Sequence, residues 1–285
     1  MHKHNGIDIS IVSTWRDYFR NFDEGLGTTY ERFILHRYFE MIRARFPVKT
    51  VLEVPSFGMT GVSGINSMWW ALQGARVTIV DDTHERIAAM EGVWHKQSLE
   101  ADIIHVTDYG ILPFADSAFD MSWNFAALWF VHDLDTFVDE LTRVTRHVIF
   151  ICVPNKSGLG YLSRRLLAGT PSEGLQISNI HPRTIKETMA QRGWSVFEEG
   201  LFDVPPWPDI AMKKEDLLSK MGLKWVANRL SARSDGGMCI LDYYSGKNKG
   251  MEQDVLKYDF LEAAPWILKK FWAHHWYALF TPSQR

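Results

Sequence analysis

The feature that most constrains the fold of this chain is an alternation of short apolar runs with longer segments of helical periodicity. The apolar runs predict seven β-strands, at residues 50–54, 76–81, 103–107, 119–125, 148–154, 194–202 and 276–281. The segments between them predict helices at residues 64–73, 85–97, 135–145 and 182–192. Several strands are apolar almost throughout, which is typical of a sheet covered on both faces. The order predicts an α/β fold with a doubly wound, mostly parallel sheet and right-handed crossovers.

Two regions do not follow this alternation. Residues 1–47 contain helical patterns ahead of the first strand, and we expect them to form a helical cap. Residues 205–270 contain turn signals and further helical patterns between the last two strands, which indicates a helical insertion. Nothing between them has the composition of a flexible linker. The core is therefore expected at residues 48–204, completed by a last strand within residues 271–285.

Composition narrows the classes of function. The chain has 285 residues, of which 46% are hydrophobic, so it can bury a large core. Its formal net charge of -3 gives no electrostatic argument for a nucleic-acid partner or an anionic membrane. Cys152 and Cys239 lack metal-ligand spacing, and we expect no metal site. The first residues lack the apolar core of a signal peptide and no apolar run is long enough to span a bilayer, so we expect a cytoplasmic protein.

In a parallel sheet of this kind, ligands bind beyond the carboxyl ends of the strands, near the point where the strand order reverses. Acidic residues follow the first three predicted strands: Glu53, Asp81 with Asp82 beside it, and Asp108 followed by Tyr109. Three acids at neighbouring strand ends suit a ligand with a ribose, an amino group and a positive charge, and suit a pyrophosphate poorly. The alternative is that each acid only caps the helix that follows it.

The loop after the first strand has the position of a glycine-rich nucleotide-binding turn but few of its glycines. Pro55 has no amide hydrogen, so it cannot donate to a ligand through its nitrogen. Gly58, Thr60 and Gly61 can offer backbone amides, and Phe57 can pack on a ligand. The loop therefore predicts a binding site that does not resemble a dinucleotide site.

The segment VTDYGILPFADSAFDMSWNFAALWFVHDLDTFVDELTRV carries a recognisable order of motifs. An aspartate, Leu-Pro-Phe, Phe-Asp before an apolar strand, and a later Glu-x-x-Arg-Val appear here as Asp108, Leu112-Pro113-Phe114, Phe119-Asp120 and Glu140-Leu141-Thr142-Arg143-Val144. The combination resembles class I S-adenosylmethionine-dependent methyltransferases of the methyltransferase-11 type. With the first two strand-loop units, the resemblance covers roughly residues 48–155.

This resemblance implies a seven-stranded Rossmann-like sheet whose last strand is antiparallel, and it implies S-adenosyl-L-methionine as the cofactor. Glu53 would anchor the methionine amino group, Asp81 the ribose hydroxyls and Asp108 the adenine amino group. The full set of implied cofactor residues is Tyr30, Glu53, Pro55, Phe57, Gly58, Thr60, Gly61, Asp81, Asp82, Asp108, Tyr109, Asn124 and Phe125. The sequence departs from the family in its first loop, where Glu-x-Gly-x-Gly-x-Gly is replaced.

Candidate catalytic residues on the acceptor side are histidines. His132 follows the fourth strand, and His274 and His275 precede the last strand, which begins at the same sheet edge if it is antiparallel. A histidine there could take a proton from the acceptor; the alternatives are a residue at a helix start for His132 and buried, hydrogen-bonded histidines for the pair. Aromatic and polar residues of two loops would line the acceptor pocket: Trp129, Phe130, Trp207 and Asp209.

The function predicted from the sequence is therefore methyl transfer from S-adenosylmethionine to a small, partly apolar or aromatic molecule. One alternative is a noncatalytic scaffold or regulatory subunit of the same fold. A second alternative is an NAD-dependent oxidoreductase, although the first loop lacks the glycines of that class. The partner expected is a small-molecule acceptor and no nucleic acid. The aromatic segment WILKKFWAHHWYALF also leaves contact with a membrane surface open, as the less favoured interpretation.

Overall fold

The computed structural model describes residues 11–58, 61–162, 174–206 and 238–283. Two helices come first, α1 at Ile11–Asn21 and α2 at Gly25–Arg45. Helix α2 buries aromatic side chains against the sheet, and the ring of Phe39 contacts that of Trp123 at 4.9 Å between centroids. The buried apolar residues of α1 and α2 belong to the two apolar clusters that also contain the strands, so both helices pack on the core.

The sheet has seven strands in the described residues: β1 Thr50–Glu53, β2 Arg76–Asp81, β3 Asp102–His105, β4 Phe119–Phe125, β5 Thr145–Pro154, β6 Trp194–Phe202 and β7 His275–Pro282. Their order is β3-β2-β1-β4-β5-β7-β6. The pairs among β1 to β5 are parallel, and β7 is antiparallel to both of its neighbours, β5 and β6. The predicted fold class, including the antiparallel last strand, is confirmed.

Helices cover both faces of this sheet. They are α3 Met68–Leu72, α4 His84–Lys96, α5 Leu134–Val144, α6 Pro182–Gln191, α7 Ile240–Tyr244, α8 Met251–Leu256 and α9 Trp266–Trp272. The side chains of β5 alternate between two apolar layers: Ile149 and Ile151 face one, whereas Phe150 and Cys152 face the other. A strand buried on both faces needs apolar residues at every position, which explains the unbroken apolar run in the sequence.

One predicted helix begins later than its periodicity indicates. Helix α3 starts at Met68, four residues after the predicted start at residue 64. Gly64 has a left-handed backbone with φ of +68°, and a Cβ there would lie 2.3 Å from the sulfur of Met90. The segment before α3 is thus a turn packed against α4, since a helical glycine would not need this conformation.

The strand order reverses between β1 and β4, so the crevice at their carboxyl ends is the expected ligand position. Because β7 runs antiparallel, its first residue, His275, lies at this same edge, next to the end of β6. Within the described ranges no helix has the length and apolar character needed to cross a membrane. Helix α9 nevertheless exposes apolar side chains, among them Ile267 at 72% and Trp266 at 62% of their surface.

Candidate active site

The loop after β1 is tied to both neighbouring strands. The Val54 amide donates to the carbonyl of Trp123 in β4 (3.0 Å), and the Ser56 amide donates to the carbonyl of Val80 in β2 (3.1 Å). Pro55, between them, is buried and follows a cis peptide bond. The loop therefore lies directly over the point where the strand order reverses.

The two glycines of this loop have local packing reasons. A Cβ on Gly58 would lie 2.3 Å from the carbonyl oxygen of Phe125, so the loop backbone rests on the end of β4. Gly61 has φ of +65°, and a Cβ there would lie 2.1 Å from the carboxylate of Glu24. Only glycine allows these close approaches. Thr60, predicted to bind the cofactor, lies outside the described residues.

A buried ion pair from the N-terminal helices holds the second half of the loop. Arg32 pairs with Glu24, and both side chains are buried. Arg32 also donates to the Asn66 side chain (2.5 Å) and to the Val62 carbonyl (3.1 Å), while Glu24 accepts from the Val62 amide (2.7 Å). The cap and the loop thus form one hydrogen-bonded unit. The sequence did not predict this ion pair.

Glu53 ends β1 and is buried in the crevice. Its Oε2 accepts from the Ser67 hydroxyl at 2.6 Å, and that hydroxyl accepts from the indole nitrogen of Trp123 at 3.1 Å. Burial raises the pKa of Glu53 to about 7, an effect that the Ser67 hydrogen bond only partly offsets. A carboxylate in this position gains from any cation that replaces the lost water.

Asp81, the last residue of β2, is fully buried and has several hydrogen-bond partners. Its Oδ2 accepts from the Ser56 hydroxyl (2.6 Å), and its Oδ1 accepts from the Thr83 amide (2.8 Å). The guanidinium Nε of Arg86 contacts both oxygens, at 3.0 and 3.1 Å, and its Nη2 reaches Asp82 at 2.5 Å. Both oxygens of the carboxylate that the resemblance assigned to ribose hydroxyls thus already accept hydrogen bonds from the protein.

Aromatic side chains cover this ion pair. The guanidinium carbon of Arg86 lies 4.1 Å from the centroid of the Phe57 ring, which in turn packs on Phe130 at 4.9 Å. Tyr109 is buried beside it, and burial together with the charge of Asp81 raises the pKa of its hydroxyl. The structure therefore brings together three residues that were predicted to bind the cofactor, Phe57, Tyr109 and Asp81. Arg86, which was not predicted, lies between Phe57 and Asp81.

Asp108 lies apart from that group of side chains. Its side chain is exposed, and its Oδ1 accepts from the Gly110 amide at 2.8 Å, which closes a local turn. This contact does not cap a helix, because the element that follows Asp108 is β4.

Asn124 lies near the carboxyl end of β4, on the other side of the crevice. Its side chain is fully buried, yet neither its Oδ1 nor its Nδ2 has a hydrogen-bond partner. Buried amides in folded proteins are nearly always hydrogen-bonded, since an unpaired one costs about 1–3 kcal/mol. An unpaired amide at a ligand edge indicates a group that a ligand satisfies.

The predicted acceptor residues after β4 have mixed environments. Trp129 is fully buried in the apolar core, and its indole nitrogen has no hydrogen-bond partner. His132 is exposed, and Asp133 beside it caps α5 by accepting from the amides of Asp135 and Thr136, at 2.9 and 3.3 Å. Trp207 and Asp209 lie outside the described residues.

The histidine pair before and at the start of β7 lies in an acidic, buried environment. His274 Nδ1 is 2.9 Å from Oδ2 of Asp203, the residue after β6, and His275 Nδ1 is 3.3 Å from the same oxygen. Burial alone would raise the pKa of Asp203, but the two imidazoles outweigh it and lower this pKa. The ring of His275 packs on Phe125 at 4.6 Å, which connects this group to the end of β4.

Two members of this acidic environment were not predicted. Asp203 directly follows β6, at the same edge where Glu53 ends β1, so the rule that found the other acids could have found it. Glu31, whose carboxylate is 3.9 Å from His275 Nδ1, lies in α2, and no motif or spacing in the sequence points to it.

Tyr30, predicted to contact the cofactor, donates its hydroxyl to Glu262 at 3.0 Å.

Comparison with known proteins agrees with this architecture. A family model described as a methyltransferase domain matches residues 58–151. The resemblance to class I S-adenosylmethionine-dependent methyltransferases is confirmed.

Among solved structures, an S-adenosylmethionine-dependent methyltransferase from Clostridium acetobutylicum is similar with a TM-score of 0.51 and 7% identity, over 90% of this chain and 92% of that one. A putative sarcosine dimethylglycine methyltransferase from Galdieria sulphuraria has a TM-score of 0.48 and 15% identity, with 90% and 86% covered. The cyclase SpnF has a TM-score of 0.49 and 16% identity, with 87% and 81% covered. No curated protein matches the chain.

The methyltransferase match covers only part of the candidate site. It begins at Gly58 in the first loop and ends within β5, so it includes Asp81 and Asn124. The acidic group at the start of β7 lies outside it. Glu53 and the start of the first loop precede the match.

Proposed function

We propose that this chain is an S-adenosylmethionine-dependent methyltransferase that acts on a small, partly apolar or aromatic molecule. The observation that carries the proposal is the unpaired, fully buried amide of Asn124 at the end of β4. It lies where the resemblance puts the methionine end of the cofactor. Glu53, buried with Ser67 as its hydrogen-bond partner, supplies a carboxylate at the end of the neighbouring strand.

The chain's residues fit the cofactor at its two ends in different ways. At the methionine end, Glu53 would accept from the amino group, and the cofactor would give the buried amide of Asn124 a hydrogen-bond partner. At the ribose end, Asp81 would accept from the hydroxyls only after Arg86 releases it, because both of its oxygens are engaged. Phe57 and Tyr109 would then pack on the nucleoside. The bound cofactor would supply the reactive methyl group on a sulfonium.

The protein's own part in such a reaction is to position the acceptor and exclude water. We place the acceptor between the end of β4 and the start of β7, because Phe125 and His275 are in contact there. The assignment of His132, His274 and His275 as proton acceptors stays a prediction. Of the three, the exposed His132 has the environment least suited to that role.

Calorimetry with S-adenosylmethionine and S-adenosylhomocysteine tests the proposal. Wild-type protein should bind both, and Asn124→Ala should bind each more weakly by about 1–3 kcal/mol, because the amide loses its ligand partner. His132→Ala, a change at an exposed position of the same edge, is the matched control and should bind like wild type. Folded wild-type protein that binds neither compound would contradict the proposal.

A noncatalytic member of the fold is the second candidate, and one observation favours it. The hydrogen bonds of Asp81 to Ser56, Thr83 and Arg86 fill the position that a ribose would need. A chain that had given up its cofactor would gain stability from closing this position on itself. The same calorimetric experiment separates the two candidates, because a scaffold of this kind binds neither compound.

A further inference from the structure

Three buried side chains from three separate elements meet at the start of β7. They are Glu31 of α2, Asp203 after β6 and His275, the first residue of β7. One potential ligand atom from each lies within 4.8 Å of the other two. His275 Nδ1 is 3.3 Å from an oxygen of Asp203 and 3.9 Å from one of Glu31. We call these three residues the 31/203/275 cluster.

Two atoms of the cluster lack the partners that buried polar atoms normally have. Oδ1 of Asp203 has no hydrogen bond, although the residue is only 1% exposed. His275 Nδ1 also has none, although it lies 3.3 Å from Oδ2 of Asp203. Lone pairs of one nitrogen and two carboxylates therefore converge on a small volume. A cation between them would contact the unpaired atoms of Asp203 and His275 together with the Glu31 carboxylate.

We propose that the 31/203/275 cluster binds a first-row divalent transition-metal ion such as Zn²⁺. Donor atoms around a tetrahedral ion with bonds of roughly 2.0–2.2 Å are ~3.3–3.6 Å apart, close to the 3.3 and 3.9 Å found here. One imidazole and two carboxylates suit Zn²⁺, Fe²⁺ or Mn²⁺, whereas Ca²⁺ and Mg²⁺ prefer oxygen ligands alone. The expectation of no metal site came from sequence spacing, which cannot reveal ligands from three distant elements.

His274 has the role of an outer partner in this arrangement. Its Nδ1 is 2.9 Å from Oδ2 of Asp203, the oxygen that also lies 3.3 Å from His275 Nδ1, so His274 holds this carboxylate from outside the cluster. Outer partners of this kind orient the ligands and are worth about 10–100-fold in metal affinity. The His274-His275 pair thus divides into one residue that holds the carboxylate and one that binds the metal.

Metal titration of the whole chain, made without a histidine tag, tests the proposal. Other sites that could bind Zn²⁺ must first be controlled. His2 and His4 lie near the N-terminus, and His84 stacks on the partly exposed His105 at 3.7 Å. The reference protein therefore carries His2→Ala and His4→Ala. After EDTA treatment and dialysis, it should bind one Zn²⁺ per chain by calorimetry, and ZnCl₂ should raise its Tm.

Variants in the reference protein locate the ion. His275→Ala and Asp203→Asn should each lower Zn²⁺ affinity by about 100-fold or more, beyond the range for an outer partner. His274→Ala should lower it by about 10–100-fold, and the control His105→Ala should leave it unchanged. Glu31→Gln provides a further ligand variant if either of the first two does not fold, as judged by circular dichroism.

X-ray absorption at the zinc edge gives a readout that does not depend on any variant. The proposal requires nitrogen and oxygen ligands at roughly 2.0–2.2 Å and no sulfur. Sulfur ligands, an equal affinity for MgCl₂, or unchanged Zn²⁺ binding in folded His275→Ala would each overturn it. None of these measurements involves S-adenosylmethionine, so the metal site and the methyltransferase proposal can fail independently.

Discussion

Asp81 and Asp203 are both buried aspartates at the carboxyl edge of the sheet, the first ending β2 and the second following β6. The carboxylate of Asp81 accepts from a hydroxyl, a backbone amide and a guanidinium. That of Asp203 contacts two imidazoles through Oδ2, and its Oδ1 has no hydrogen bond. A buried acid at a strand end can thus be closed by the protein or left open toward a ligand.

The difference arises from where the partners come from. Arg86 lies in the first turn of α4, the helix that follows β2, so its side chain folds back over Asp81 from nearby in the chain. The side chains around Asp203 come from α2, from the start of β7 and from His274 just before it, and they are carboxylates and imidazoles. A cation close in the sequence therefore pairs with the carboxylate of Asp81, whereas the residues packed around Asp203 leave its Oδ1 without a hydrogen bond.

The largest expected effect is on stability. Asp81→Ala should lower the free energy of unfolding by about 3–5 kcal/mol, because it leaves the guanidinium of Arg86 buried without its main partner. Asp203→Asn should cost only about 1 kcal/mol, because the amide still accepts from His274. Urea denaturation followed by circular dichroism measures both. Equal losses in the free energy of unfolding for the two variants would mean that the hydrogen-bonded carboxylate of Asp81 and the partly unpaired one of Asp203 contribute alike.

The next effect concerns cofactor affinity. Arg86→Gln removes the cation that competes with a ribose for Asp81, and we expect S-adenosylmethionine to bind about tenfold more tightly, or about 1.4 kcal/mol. Arg16→Gln is the matched control, since Arg16 forms an exposed ion pair with Glu85 in the same helix as Arg86. Weaker binding by Arg86→Gln would mean that the guanidinium contacts the cofactor instead of competing with it.

A pH effect of similar size is expected from Glu53, whose pKa burial raises to about 7. The ammonium of the cofactor requires the ionised carboxylate, so affinity should fall by up to about tenfold per pH unit below pH 7 and level off above it. Calorimetry between pH 5.5 and about pH 8.5 measures this. Glu53→Gln should abolish the dependence. Glu262→Gln should keep it, although burial raises the pKa of Glu262 to about 7 as well.

The raised pKa of Glu53 also affects the stability of the fold, which it makes higher at low pH and lower at high pH, whereas cofactor affinity changes in the opposite direction. The folded-state pKa of Glu53 lies above its ordinary value of 4.5, so the folded protein binds the proton more tightly than the unfolded chain. The stability that comes from this proton is fully present below about pH 4.5 and is lost as the pH rises through about 7. Glu53→Gln should therefore narrow the difference in Tm between pH 5 and pH 8 by removing this contribution.

The sequence predicted the sheet well because most strands contain a compact apolar run with turn residues nearby. It also predicted the acids after β1 and β2, because a strand-end position can be read from local sequence. The partners of those acids could not be read in this way. Arg86 looks like an ordinary helix residue, and the meeting of Glu31 with His275 depends on how α2 packs beside β7. The start of α3 was also predicted too early, at Gly64, because apolar periodicity gives no information on the left-handed φ of that glycine.

The smallest expected effect concerns a third acid at this edge, Asp133, which is exposed and caps α5. Asp133→Ala should cost about 1 kcal/mol of stability, the usual loss for an N-cap, and should change neither S-adenosylmethionine nor Zn²⁺ binding. His132→Ala, one residue earlier, should stay within about 0.5 kcal/mol of wild type because that side chain is exposed. Together the two variants measure how much stability an exposed, helix-capping acid contributes. The stability changes of the Asp81 and Asp203 variants can be compared with that value. If His132→Ala instead lowers turnover while cofactor affinity is kept, the acceptor binds on the β4 side of the edge and not at the start of β7.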